Sequence, residues 1–531
     1  MKAQDAPTPA PAVPKSRNAW SVLDFHGGSF GAKLQNALNA AAGDNLEIKI
    51  PGGSPHDLDE PVQISSNSVL RIALSGDGMT TTEIRCHGVG LQLHGEAGSR
   101  YSVQDLAFTP QTPKAGTALT FDWSAAAIGK GFVIENVAFG SMVADPDNFF
   151  DRGLEIRTKG SGQVSGCWFN GKSSTDPQGE GLVLAGANDV IVSDTHMYNL
   201  AYACRSDGRT TLEGFKLQGS YLVRVGHGVY FEAKPVGLPY IEVALSHISA
   251  CYEAVHLDGY SQANIVDNLI YARNDISVGD TQTDIWIRYC PELTIARNKF
   301  MSGMDKAKFS KTAIKTVGIV RNGSISENLA SDRTVFLSIT DDGKSGAQDL
   351  VVSKNRAAKD EQGKSTVTEM YQITQSPLHR RITWDGARDE FESSAILKSD
   401  FTVSPGQWVE MPFHLAQVGT AGLALQEKDP PGEFAIPAGI TYAKVSARAR
   451  IVMKGGSISV CGIRIIKENG SGSQEIARST ETGVNCTVAV EAEVSTLMMS
   501  DTIRVEVFHN AKDAGLVSSA PAETAFSFSP Q

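Results

Sequence analysis

Tyr230, His256 and Trp286 take the third place in three short segments, Gly228-Val-Tyr-Phe-Glu232, Ala254-Val-His-Leu-Asp258 and Asp284-Ile-Trp-Ile-Arg288. Glu232, Asp258 and Arg288 close the same segments. Hydrolysis of a glycosidic bond needs two carboxyl groups, one protonated as acid and one ionised as nucleophile or base. Glu232 and Asp258 are the candidates for that pair. Two carboxylates held close would raise the pKa of one of them, as an acid role demands. Tyr230, His256, Trp286 and Arg288 would line the groove, and Tyr260 would extend it. A solvent-facing Trp is costly unless something stacks on it. The same residues could serve elimination instead, with Arg288 neutralising a uronate and Tyr230 or His256 taking the proton. They could also hold a glycan with no chemistry at all.

These residues need a scaffold that repeats. The segments begin at 228, 254 and 284, so they lie 26 and 30 residues apart. Each is followed by a second apolar run: Tyr240-Ile-Glu-Val-Ala, Ala263-Asn-Ile-Val-Asp and Leu293-Thr-Ile-Ala-Arg. A strand-turn-strand unit recurring every 20–50 residues or so marks a solenoid. Alternation sends Val229, Phe231, Val255, Leu257, Ile285 and Ile287 inward and the candidate site residues outward, in two ladders along the stack. Adjacent rungs are about 4.8 Å apart, so Glu232 and Asp258 should be neighbours. Related segments run from about 91 to 357, enough for nine or ten turns. Asn136, Asp194, Ser246, Asn268, Asn298 and Asn355 recur within them, and stacked Asn side chains can bond along such a coil.

Composition agrees with a turn-rich β protein. The 531 residues are 41% hydrophobic and include 51 Gly, and long amphipathic helical patterns are nearly absent. A net charge of -11 opposes nucleic acid as a partner, because phosphates require clustered Lys and Arg. No apolar run approaches the roughly 18 residues of a membrane span. Seven cysteines (86, 167, 204, 251, 290, 461, 486) make no CxxC pair and suit buried thiols. No cofactor or metal is expected: there is no HExxH, Asp145–Asp151 lacks calcium-loop spacing, and Ser338 stands where a phosphate loop needs Gly ahead of Gly343-Lys-Ser.

Taken in order, residues 1–18 are Pro/Ala-rich and suit an attachment arm. They have no hydrophobic core of a secretion signal, so export by the general route is not expected. Residues 19–90 hold Val22, Asp24, Phe25 and Gly27, a helical patch at 32–42, then Pro51, Gly53, Gly76 and Gly78. This succession resembles the opening of pectate-lyase-like right-handed β-helices, especially those of bacteriophage tailspikes and capsule depolymerases. It departs from them at His26, which separates Phe25 from Gly27, and in lacking an Asp-Asp-Thr ahead of the helix. The Leu34/Leu38 face would cap the open end of the coil. The β-helix proper spans 91–357 and a charged connector 358–400. After it, 401–531 carries alternating strands spaced as in a sandwich, including Phe434-Ala-Ile-Pro-Ala-Gly-Ile. That run resembles the C1q/TNF-type jelly rolls closing many trimeric phage fibres.

The expected fold is therefore all-β: a right-handed parallel β-helix with an N-terminal capping helix and a C-terminal β-sandwich. The resemblance implies a homotrimer in the virion tail, joined to tail or baseplate through its N-terminus. It would bind and depolymerise host capsule, O-antigen or exopolysaccharide outside the cell. A bacterial β-helix enzyme acting on plant or matrix polymer is the further alternative. Other acids compete for the catalytic role: Glu242, Glu253, Asp267, Asp275, Asp280 and Asp284.

Overall fold

The computed structural model describes residues 19–530 except 42–45, 67–68, 97, 124–128, 143–146, 158–159, 173–176, 208–211, 234–237, 274–280, 303–309, 375, 377, 386–392, 418–425, 428–431, 438–439, 441, 454–457, 499 and 522. The attachment arm expected at 1–18 lies outside the described residues. The architecture is an all-β right-handed parallel solenoid of about 11 turns, with one short helix near the N-terminus and antiparallel sheets at the C-terminus. The chain divides into two compact units, one of 1–173 with 178–197 and one of 174–177 with 198–531.

In the first unit, strands stack in parallel through alternating inward apolar residues. Ile72 pairs with Tyr101 and Tyr101 with Phe132, while Leu74, Val103 and Ile134 form the neighbouring inward row, all of them buried. Phe108, Phe139 and Phe169 stack face to face down another wall, with centroids 5.8 and 4.7 Å apart. The helix Phe30–Ala41 buries Leu34, Ala37, Leu38 and Ala41. Ser29 starts it by accepting from the Ala32 amide through its side chain and the Lys33 amide through its carbonyl. Gln35 meets the strand edge at Gln63 twice, donating to its carbonyl at 2.8 Å and accepting from its amide at 3.1 Å.

In the second unit the coil is tied by an internal polar column. Asn268, Asn298, Asn328 and Asn355 are buried, and each of the first three donates its backbone amide to the next one's side-chain oxygen at 3.0–3.1 Å. The Ser246 amide joins by bonding Asn268 Oδ1 at 3.0 Å. Each Asn also satisfies a carbonyl of the strand below; that of Asn298 is Ile265. A left-handed residue precedes every member: Leu245, Asp267, Arg297, Glu327 and Lys354, with φ of 53–58°. Asn136 and Asp194, expected in this column, instead occupy such left-handed corners at φ 52° and 49°. Asn tolerates that conformation because its short side chain bonds locally. Its position in the turn therefore decides its role.

The coil also continues past 357. Strands Val367–Ile373 and Arg380–Asp385 pair in parallel with Arg333–Thr340 and Ala347–Ser353 inside the stretch expected to be a connector. Val367, Tyr371, Ile382 and Trp384 are buried, and what obscured their alternation is part-buried Glu369, in step with Val367 and Tyr371, and the exposed Arg380 and Arg381. From Ser393 onward the strands are antiparallel, in a seven-stranded and a six-stranded sheet. Phe413, Phe434 and Phe526 pack together in their core. All seven cysteines are buried, and none is in a disulfide.

Candidate functional site

One wall of the second unit carries the site. Strands Tyr202–Ser206, Tyr221–Glu232, His247–Asp258, Thr281–Cys290 and Ser310–Ser326 lie side by side on it in parallel. Arg205, Tyr230, His256, Trp286 and Lys315 are register partners in succession. Glu232, Asp258, Arg288 and Val317 form the adjacent row. Val229, Phe231, Val255, Leu257, Ile285 and Ile287 fill the interior behind them. Alternation thus places the residues as their spacing predicts, and the structure brings six of the seven together.

The rings are arranged differently from the expectation. Tyr230 and His256 stack with centroids 4.2 Å apart and planes 19° from parallel, and His256 and Trp286 stack at 4.2 Å and 13°. Both faces of His256 are therefore occupied, and its side chain is only 12% exposed. At rung spacing, successive aromatic residues satisfy one another, and Lys315 follows Trp286 on the next rung. A second column, Tyr202, His227 and Tyr252, stacks at 4.7 and 5.0 Å. It meets Tyr230 edge-on through Tyr202 and His227.

Glu253 sits where the columns join. His227, its register partner, hydrogen-bonds Glu253 Oε2 through Nδ1 at 3.1 Å. His256 Nδ1 also lies 3.1 Å from that oxygen. Burial works to raise the Glu253 pKa, but the two imidazoles outweigh it and hold the carboxyl at about 2. Glu253 is thus an ionised counter-charge fixed inside the site. His227 lies on the corner side of Gly228, and the register shifts between Val223 and His227 that bring it under Glu253 leave no trace in an alternating pattern. The visible signal was the 26-residue spacing of His227 and Glu253, equal to that of Tyr230 and His256.

The outer row holds the carboxylates. Glu232 accepts the Tyr230 hydroxyl on Oε1 at 3.0 Å, and its backbone amide is held by Ser206 Oγ at 3.0 Å. Burial, then the Glu232 carboxylate, push the Tyr230 phenol well above its usual range. Asp258 is not an isolated like-charge neighbour of Glu232. Arg288 grips both its oxygens, Nε to Oδ1 at 2.9 Å and Nη2 to Oδ2 at 2.5 Å. This bond to Asp258 raises the guanidinium's pKa further, and the same group lies 5.9 Å from the Trp286 ring centroid.

Tyr260 does not extend the groove. It is 1% exposed and packs inside against Phe231. Gly259, at φ 89°, turns the chain between Asp258 and Tyr260 and starts a new wall, so alternation cannot be counted across it. Of the competing acids, Glu242 bonds Tyr240 on another wall and Asp267 is forked by Arg297. Asp284 is buried against Arg333 at 2.6 Å. Asp275 and Asp280 lie outside the described residues.

No protein-family model and no curated protein matches the chain. Among solved structures it is similar to the DFA-IIIase of Arthrobacter chlorophenolicus A6, with 13% identity over 68% of this chain and 99% of that one and a TM-score of 0.46. It is similar as well to a mutant tailspike protein of E. coli bacteriophage HK620 in complex with hexasaccharide, at 11% identity over 97% and 93% of the two chains and a TM-score of 0.45. The TNF protein Eiger of S. frugiperda matches 27% of this chain with 92% of its own, at 7% identity and a TM-score of 0.21.

Proposed function

We propose that this wall binds a bacterial surface polysaccharide and hydrolyses it within the chain, with Glu232 as proton donor and Asp258 as the second carboxylate. The observation that carries the reading is the register of Glu232 with Asp258, one rung apart, each held by a different partner. A rung is about 4.8 Å, and modest divergence of the side chains spans the separations that glycosidases use. Tyr230 fixes Glu232 through Oε1. Arg288 matches the charge of Asp258, and Trp286 offers its ring to a sugar. Elimination with Tyr230 as base is disfavoured, since a phenol pushed upward gives up its proton poorly. In this reading the chain is a tailspike or tail-fibre protein of a bacteriophage, attached through its N-terminal residues and trimeric through its C-terminal sandwich.

The test is incubation of purified protein with capsule, O-antigen and exopolysaccharide preparations, scored for new reducing ends and for unsaturated uronate. Hydrolysis predicts reducing ends without unsaturation, abolished in Glu232→Gln and Asp258→Asn while glycan binding persists. Full turnover in both variants refutes the assignment. A second reading, binding without cleavage, draws on the Arg288 fork that occupies both Asp258 oxygens. It predicts retained binding and no new ends in the unaltered protein.

A further inference from the structure

The first unit holds a groove of about 610 Å³ on its outer wall, within the size range of ligand clefts. At one end Arg71 and Arg100 are register partners on adjacent strands, both exposed. Neither guanidinium has an ion pair or hydrogen bond among the described residues. At other rungs facing charges are opposite and paired, Arg152 with Glu180 at 3.1 Å, Asp267 with Arg297 at 2.7 Å and Asp349 with Arg381 at 2.6 Å, and where Glu232 faces Asp258 the guanidinium of Arg288 binds Asp258. Like charges directly opposite destabilise a sheet. The Arg71–Arg100 pair thus departs from the pattern the coil follows at those rungs, in a way that an anion between the two guanidinium groups would relieve.

The floor beyond Arg100 carries small residues. Its next partner is Gly131, and Ala73, Ser102 and Ser161 line the groove beside it. Val133 and Ile191, 42% and 41% exposed, give this floor an apolar shoulder. Asp189 stands at the far end, about three rungs or roughly 14 Å from Arg100. A guanidinium pair, small residues beside it, apolar contacts and a distant acceptor together fit a sugar bearing a carboxylate.

We propose that the Arg71–Arg100 groove is a binding site for a uronate residue of an acidic glycan, with the carboxylate held by both guanidinium forks. It does not rest on cleavage by Glu232 and Asp258. The experiment is calorimetric titration of the full chain, in the Arg288→Ala background so that the other wall's guanidinium is not read. The probes are a uronic acid trisaccharide and its carboxyl-reduced neutral counterpart. The uronate should bind at least tenfold more tightly than the neutral sugar, and Arg71→Gln/Arg100→Gln should remove that advantage. Glu232→Gln should leave it intact. Equal binding of the two sugars, or an unchanged advantage in the double variant, overturns the proposal. So does failure of the starting protein to bind uronate while the double variant alters its sedimentation, which would make the groove an interface between copies.

Discussion

Arg288 closes a two-toothed fork on Asp258 across one rung while lying near the ring of Trp286 on its own strand. That fork makes Asp258 a positioned group and gives the guanidinium two tasks. Arg288→Ala should lower turnover by about 10- to 100-fold by freeing the carboxylate's orientation. Arg288→Lys should restore little of it, since an ammonium cannot reproduce the planar fork. With Arg288 half-exposed, either change should move stability by less than about 1 kcal/mol in a thermal melt.

Tyr230→Phe keeps the ring stack and removes only the hydroxyl on Glu232. Reducing-end kinetics should show kcat down about tenfold, the worth of a hydrogen bond to a charged group, with KM nearly constant. A parallel rise in KM would assign Tyr230 to binding instead.

Glu253 predicts a pH dependence of stability. Its folded value, about 2, lies below the ordinary 4.5. The stabilisation is therefore fully present above pH 4.5 and drains away as pH falls toward 2. Melting temperature should drop more steeply over that interval in the unaltered protein than in Glu253→Gln. The slope difference should correspond to on the order of 2 kcal/mol after allowing for partial exposure. Equal slopes would remove Glu253 from its counter-charge role.

Asn298→Ala should cost about 2–4 kcal/mol in urea unfolding. It strands the buried Asn268 amide and the Ile265 carbonyl together. A loss under about 0.5 kcal/mol would show that the column is ornamental.

Much of this was written in period-two alternation. Val229/Phe231, Val255/Leu257 and Ile285/Ile287 announce which way the strands face, and their common frame aligns Glu232, Asp258 and Arg288. What alternation cannot carry is anything beyond a corner. Tyr260 follows the Gly259 turn and points inward, and His227 lies beyond the shifted register at Val223–His227. Nor does spacing reveal that rings at rung separation turn their faces to one another. Asn328 belongs to the same series: Glu327-Asn328 repeats the left-handed-then-Asn step of Asp267-Asn268 and Arg297-Asn298.

The Gln35 side chain has a further consequence. A primary amide sets an N–H beside a C=O in nearly the arrangement of a peptide group, and here both face Gln63 while the nitrogen also donates to Asn39. An unfinished coil is a template that invites any passing strand to dock and lengthen it into a fibre. By occupying that berth with a counterfeit peptide bond, the chain tells the assembly where to stop.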